Sequence, residues 1–99
     1  HFHDTRAMGI ANVFAAVESG IRRFDASIAG LGGCPFAPGA SGNVATEDVV
    51  MLLQQMGFDT GVDLGALLRA SDLAEELTGN APGGRAKAWL EPHLAKQAG

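Results

Sequence analysis

The residues with chemical potential sit at both edges of one glycine-rich stretch. His1 and His3 are spaced i, i+2, so in an extended segment both imidazoles point to the same side. Two imidazoles so placed can bind one metal ion together, although terminal histidines or tag remnants would read the same way. Asp4 follows at once, then Thr5 and a helical pattern, as expected where a strand ends at a ligand-binding rim. Cys34 lies inside Gly32-Gly33-Cys34-Pro35. It is either a small buried hydrophobe or a thiol presented by a mobile loop, able to act as general acid or, when ionised, base. Asn43 closes the stretch; its side chain suits a helix cap and also a hard cation such as Mg²⁺ or Mn²⁺. Glu47 is a first-turn helix acid or a group near a site. Trp89 and His93 read as packing or surface residues.

The elements that must position these groups follow from periodicity. Ile10, Val13, Phe14, Val17 and Ile21 recur at helical spacing from Met8 onward, with Gly20 and Arg22-Arg23 suited to a helix end. Residues 24–29 read as a short buried strand, with Phe24, Ala26 and Ile28 on one face and Asp25, Ser27 and Ala29 on the other. Residues 30–42 form a loop by their glycine and proline content, and loops of such length are commonly functional. Thr46 is the expected N-cap of the next helix, Glu47 and Asp48 suit its positive end, and Val49, Val50, Leu52, Leu53 and Met56 form its apolar face before Gly57. Asp63 caps a helix expected to bury Leu64, Leu67, Leu68 and Leu77. Residues 80–84 read as a turn, and a last helix over roughly 85–95 is expected to be disturbed at Pro92. Alternating strand and helix predicts an α/β arrangement with parallel strands.

Composition bounds the function. The chain has 99 residues, 7 Lys+Arg against 11 Asp+Glu, and a net charge of −4. With no basic face, no nucleic acid is expected as a partner. No apolar run reaches the roughly 18 residues of a membrane span, so no membrane is expected either. The single Cys34 excludes an intrachain disulfide framework and fits a reducing compartment. The opening His1-Phe2-His3-Asp4 carries no starting Met or signal pattern and reads as the interior of a longer sequence. No G-x-G-x-x-G or P-loop supports a nucleotide cradle.

The stretch Ser27-Ile28-Ala29-Gly30-Leu31-Gly32-Gly33-Cys34-Pro35-Phe36 resembles the signature of the 3-hydroxy-3-methylglutaryl-CoA lyase family, whose usual form ends in Cys-Pro-Tyr. His1-Phe2-His3-Asp4-Thr5 looks like that family's metal-binding segment. Residues 39–48 and 59–63 are also similar, in the same order. The resemblance implies the C-terminal fragment of a (β/α)₈ TIM barrel: the end of strand 7, helix 7, strand 8 at 24–29, the catalytic loop and helix 8. Residues 1–57 would be the last βα units and 58–99 a C-terminal helical extension. It implies His1, His3 and Asn43 as ligands of a divalent cation, Mg²⁺ or Mn²⁺. Cys34 would be the catalytic cysteine and Glu47 an acid linked to activity. The remaining ligand, an aspartate, and an arginine beside it would lie on a first strand outside this chain.

The implied reaction is retro-Claisen cleavage of an acyl-CoA substrate to acetyl-CoA and acetoacetate, the chemistry of leucine degradation and ketone-body formation. The resemblance further implies a homo-oligomer, a dimer, located in a bacterial cytoplasm or a mitochondrial matrix. The chain departs from the family at Arg6-Ala7, usually Tyr-Gly, and at Phe36; these positions flank the site and bear on the acyl group. The alternatives are a lyase for another branched CoA ester such as citramalyl-CoA, and a non-catalytic helical binding fragment. Related acyltransferases share the His-x-His pair but lack Gly-Gly-Cys-Pro.

Overall fold

Four helices carry the chain in a computed structural model: α1 (Gly9–Glu18), α2 (Thr46–Gln55), α3 (Leu64–Thr78) and α4 (Lys87–Ala98). The structure describes residues 1–4, 6–32, 42–79 and 84–98. A short 3-10 turn, Ile28–Gly30, lies between α1 and α2. Among the described residues no helix is long and apolar enough to cross a membrane.

The apolar stripes of α1 and α2 meet as their spacing predicts. Val13 and Val17 from α1 and Val49 from α2 close over Val44, which is 1% exposed. Phe2, Ile10, Phe24, Leu52, Leu53 and Phe58 pack around them. This core holds the extended pieces of chain that carry the histidines and Asn43. At the end of α1, Arg22 Nη1 donates to the Val17 and Ile21 carbonyls. Its guanidinium lies 5.1 Å from the Phe58 ring centroid.

The α/β expectation changes here. Among the described residues no β-strand forms; two isolated bridges stand in its place, His3 with Asn43 (antiparallel) and Ser27 with Ala45 (parallel). Residues 24–27 are extended or bridged, but 28–30 coil into the 3-10 turn. The physical reason is lateral pairing. A buried parallel strand needs neighbours along both edges. Here residues 24–29 meet one neighbour among the described residues, the chain near Val44: the Val44 N–H donates to Phe2 O at 3.0 Å, and its carbonyl accepts from Ser27 N–H at 3.1 Å.

Helix ends show local and tertiary control side by side. Asp63 caps α3 as predicted, its Oδ1 accepting from Gly65 and Ala66 N–H. Thr46, the expected N-cap of α2, is instead its first residue; Ala45 is the cap and makes no side-chain bond. Thr46 N–H donates to Ser27 O, so the backbone bridge rather than a hydroxyl sets the start. Leu68 is buried, but Leu77, expected inside, is 76% exposed on the last turn of α3. α3 packs against α2, α4 and the 3-10 turn, and this packing leaves Leu77 to solvent.

α4 runs through Pro92 instead of breaking there. A proline inside a helix costs about 3 kcal/mol, but tertiary contacts anchor this helix. Leu90 is 2% exposed, and Lys87 Nζ lies 2.6 Å from Asp72 of α3. Burial pushes the Lys87 ammonium down; the Asp72 hydrogen bond and the charges of Asp72, Glu91 and Glu75 outweigh it and hold it above its ordinary value.

Candidate metal centre

The pairing of His3 with Asn43 joins the two ends of the sequence pattern. On either side of the bridge, Asp4 N–H donates to Gly42 O and Val44 N–H to Phe2 O, both at 3.0 Å. Residues directly opposite in an antiparallel pair share a face. His1 is two residues before His3 and shares it too. The His1 and His3 rings are exposed, with centroids 5.2 Å apart and planes at 82°. That spacing suits two imidazoles donating to one ion. Asp4, next in the chain, turns the other way: Oδ1 accepts from Gly9 N–H at 3.0 Å and starts α1.

Asn43 is fixed by its own amide. Nδ2 donates to Leu31 O at 3.0 Å, which leaves Oδ1 as the donor atom for a cation. Gly42, just before it, has φ +98° and passes between the Gly30 and Gly32 backbones. A Cβ at residue 42 would run into both carbonyl oxygens. The two feet of the glycine-rich loop therefore touch, beside Asn43. Cys34 lies outside the described residues.

Glu47 is fully buried and is turned inward. Its Oε1 accepts from Ala29 N–H at 2.9 Å and its Oε2 from Gly84 N–H at 3.1 Å. Both oxygens thus hold backbone, one at the 3-10 turn and one ahead of α4. Ala29 needs such a hold, since its φ of 56° is unfavourable for a residue with a Cβ. Asp48 was not singled out by the sequence, yet it is 4% exposed and accepts from Arg85 and Ala86 N–H at 2.8 and 2.9 Å. Burial pushes its carboxyl up, the Ala86 and Arg85 N–H groups pull it down, and the charges of Glu47 and Asp4 raise it further; the net shift is upward. Two adjacent acids at the head of a helix were the available signal; Asp48 reads there as a dipole complement alone.

The HMGL-like family model matches residues 1–74. The chain belongs to the HMGL-like family. Hydroxymethylglutaryl-CoA lyase of Pseudomonas mevalonii is 52% identical over 97 residues, covering 98% of this chain and 32% of that protein. The (R)-citramalyl-CoA lyase of Chloroflexus aurantiacus is 58% identical over 72 residues, covering 73% of this chain and 23% of that protein. Among solved structures, hydroxymethylglutaryl-CoA lyase from Pseudomonas aeruginosa is similar with a TM-score of 0.84 at 49% identity, over 97% of this chain and 31% of that one. This HMGL-like chain therefore spans about a quarter to a third of the length of these relatives.

Lyases of the HMGL-like family are generally dependent on a divalent cation. The donor set is compatible with such an ion: two imidazoles and one amide oxygen on a single exposed face. All three donors are neutral, so they leave the charge of a divalent ion unbalanced. Among the described residues no group of three His, Cys, Asp or Glu side chains is placed to hold a metal. The HMGL-like chain thus offers part of a coordination sphere, with room for further ligands.

Proposed function

We propose that this chain is the C-terminal part of a (β/α)₈ barrel lyase that cleaves 3-hydroxy-3-methylglutaryl-CoA to acetyl-CoA and acetoacetate with Mg²⁺ or Mn²⁺. The observation that carries the reading is the His3–Asn43 bridge, which sets His1, His3 and Asn43 on one face beside the feet of the glycine-rich loop. The family membership and the hydroxymethylglutaryl-CoA lyase relatives support it.

In this reading His1, His3 and the Asn43 amide oxygen hold the cation together with a carboxylate from outside the chain. When bound, the cation supplies Lewis-acid polarisation of the substrate's tertiary hydroxyl and a nearby carboxylate oxygen. Cleavage breaks the bond between the carbinol carbon and the methylene next to the thioester. The hydroxyl loses its proton to a base and becomes the ketone of acetoacetate; the bonding pair leaves with the thioester as an enolate. Cys34 gives its Sγ proton to that enolate carbon, yielding acetyl-CoA. Ala29 to Leu31, held by Glu47, keep Asn43 oriented.

The test is product analysis with the full-length protein. Acetoacetate and acetyl-CoA should appear from 3-hydroxy-3-methylglutaryl-CoA, stop on chelation and return with Mg²⁺ or Mn²⁺. The 58% identity to a citramalyl-CoA lyase favours one second reading, a related branched acyl group. Faster turnover of citramalyl-CoA in the same assay would replace the first substrate with the second.

A further inference from the structure

The acid pair that opens α2 binds the start of the C-terminal helix to the foot of the glycine-rich loop. Three consecutive N–H groups, those of Gly84, Arg85 and Ala86, are all taken up by Glu47 and Asp48. A helix start leaves such donors without partners inside the helix, and here the partners come from a separate element. The fit is tight: a Cβ at residue 84 would lie 2.5 Å from Asp48 Oδ1 and 2.9 Å from Oδ2. On its other oxygen Glu47 holds Ala29 N–H, in a residue kept at positive φ. Two residues on, Leu31 O receives the Asn43 amide. An unbroken series of hydrogen bonds and short backbone steps thus runs from residues 84–86, through Glu47 and 29–31, to the side chain of Asn43.

We propose that the start of α4 is a positioning element for the Asn43 amide, acting through Glu47 and Asp48. The proposal rests on the reading of Asn43 as a cation ligand. Without the 84–86 contact, one Glu47 oxygen and both Asp48 oxygens lose their partners inside the protein. Glu47 then holds Ala29 through Oε1 alone, with its carboxylate freer to turn, and the Leu31 carbonyl sets the Asn43 rotamer less firmly. Partners behind metal ligands commonly change affinity about 10- to 100-fold when altered, and the same range is expected here.

The experiment uses the full-length protein and Mn²⁺ as probe, with affinity read by electron paramagnetic resonance and Ala29 amide exchange read by NMR or mass spectrometry. Gly84→Ala should weaken Mn²⁺ binding about tenfold or more and speed exchange at Ala29. Should that variant fail to fold, Glu47→Gln, equal in size but with one acceptor replaced by a donor, should give the same two effects. Asp72→Asn, which loosens the Lys87 contact of α4 without touching the acid pair, should give neither. Unchanged Mn²⁺ affinity and unchanged Ala29 exchange in the folded variants would overturn the proposal. His3→Ala separates the two levels of inference. Loss of Mn²⁺ binding in His3→Ala together with wild-type behaviour of Gly84→Ala rejects the positioning role and leaves the metal reading standing. Unchanged Mn²⁺ affinity in His3→Ala removes the metal reading, and with it the role proposed for α4.

Discussion

A cysteine proton donor and a set of neutral metal donors should separate cleanly under mutation. Cys34→Ser in the full-length protein should lower kcat by about 10²- to 10⁴-fold and leave Mn²⁺ affinity unchanged; equal kcat would remove Cys34 from the reaction. Asp48 provides a second test at this scale. Its carboxyl is easier to protonate in the folded chain than its ordinary value of 3.8. Such a group contributes stability that is fully present below pH 3.8 and is lost as pH rises through the higher folded value. Asp48→Asn does not titrate there. The stability of wild type minus that of Asp48→Asn should therefore fall as pH rises from 3.8 and level off above the folded value. Denaturant melts at several pH values would show it, and a difference that rises with pH would contradict the burial argument. His1, His3 and Asn43 could be singled out from residue type, local spacing and the family resemblance. The cap that Asp48 gives to α4 could not, because its donors lie 37 and 38 residues away in sequence.

At the level of elements, helices followed local rules where their own residues cap them and departed where neighbours decide. Asp63 caps α3 through Gly65 and Ala66, so Asp63→Ala should cost about 1 kcal/mol. A thermal melt of the variant that matches wild type would show that α3 draws its stability from packing alone. The start of α2 was misplaced by one residue because the Ser27 carbonyl, not a side chain, receives the Thr46 N–H. Leu77 was expected inside because its spacing continues the Leu64, Leu67, Leu68 series, but periodicity does not tell where the supporting surface ends. Pro92 illustrates the converse: local preference argues for a break, and anchoring through Lys87 and Leu90 keeps the helix whole.

For the whole molecule, the order of the helices was legible, while the expected strand at residues 24–29 is replaced by an isolated bridge and a 3-10 turn. Pairing is a lateral property, and residues 24–29 meet one partner, near Val44 and Ala45, among the described residues. The proposed cation site likewise takes one further ligand, a carboxylate, from outside these residues. The 99-residue chain expressed alone should therefore release no acetoacetate from 3-hydroxy-3-methylglutaryl-CoA. A coupled assay detecting it would mean that the site is complete within these residues. The contact of Gly42 with Gly30 and Gly32 carries one more consequence. No side chain fits at residue 42 without parting the two backbones, and Asn43 is the very next residue. Any substitution of Gly42 is thus felt first where the histidine and asparagine segments meet, since its carbonyl also receives the Asp4 N–H.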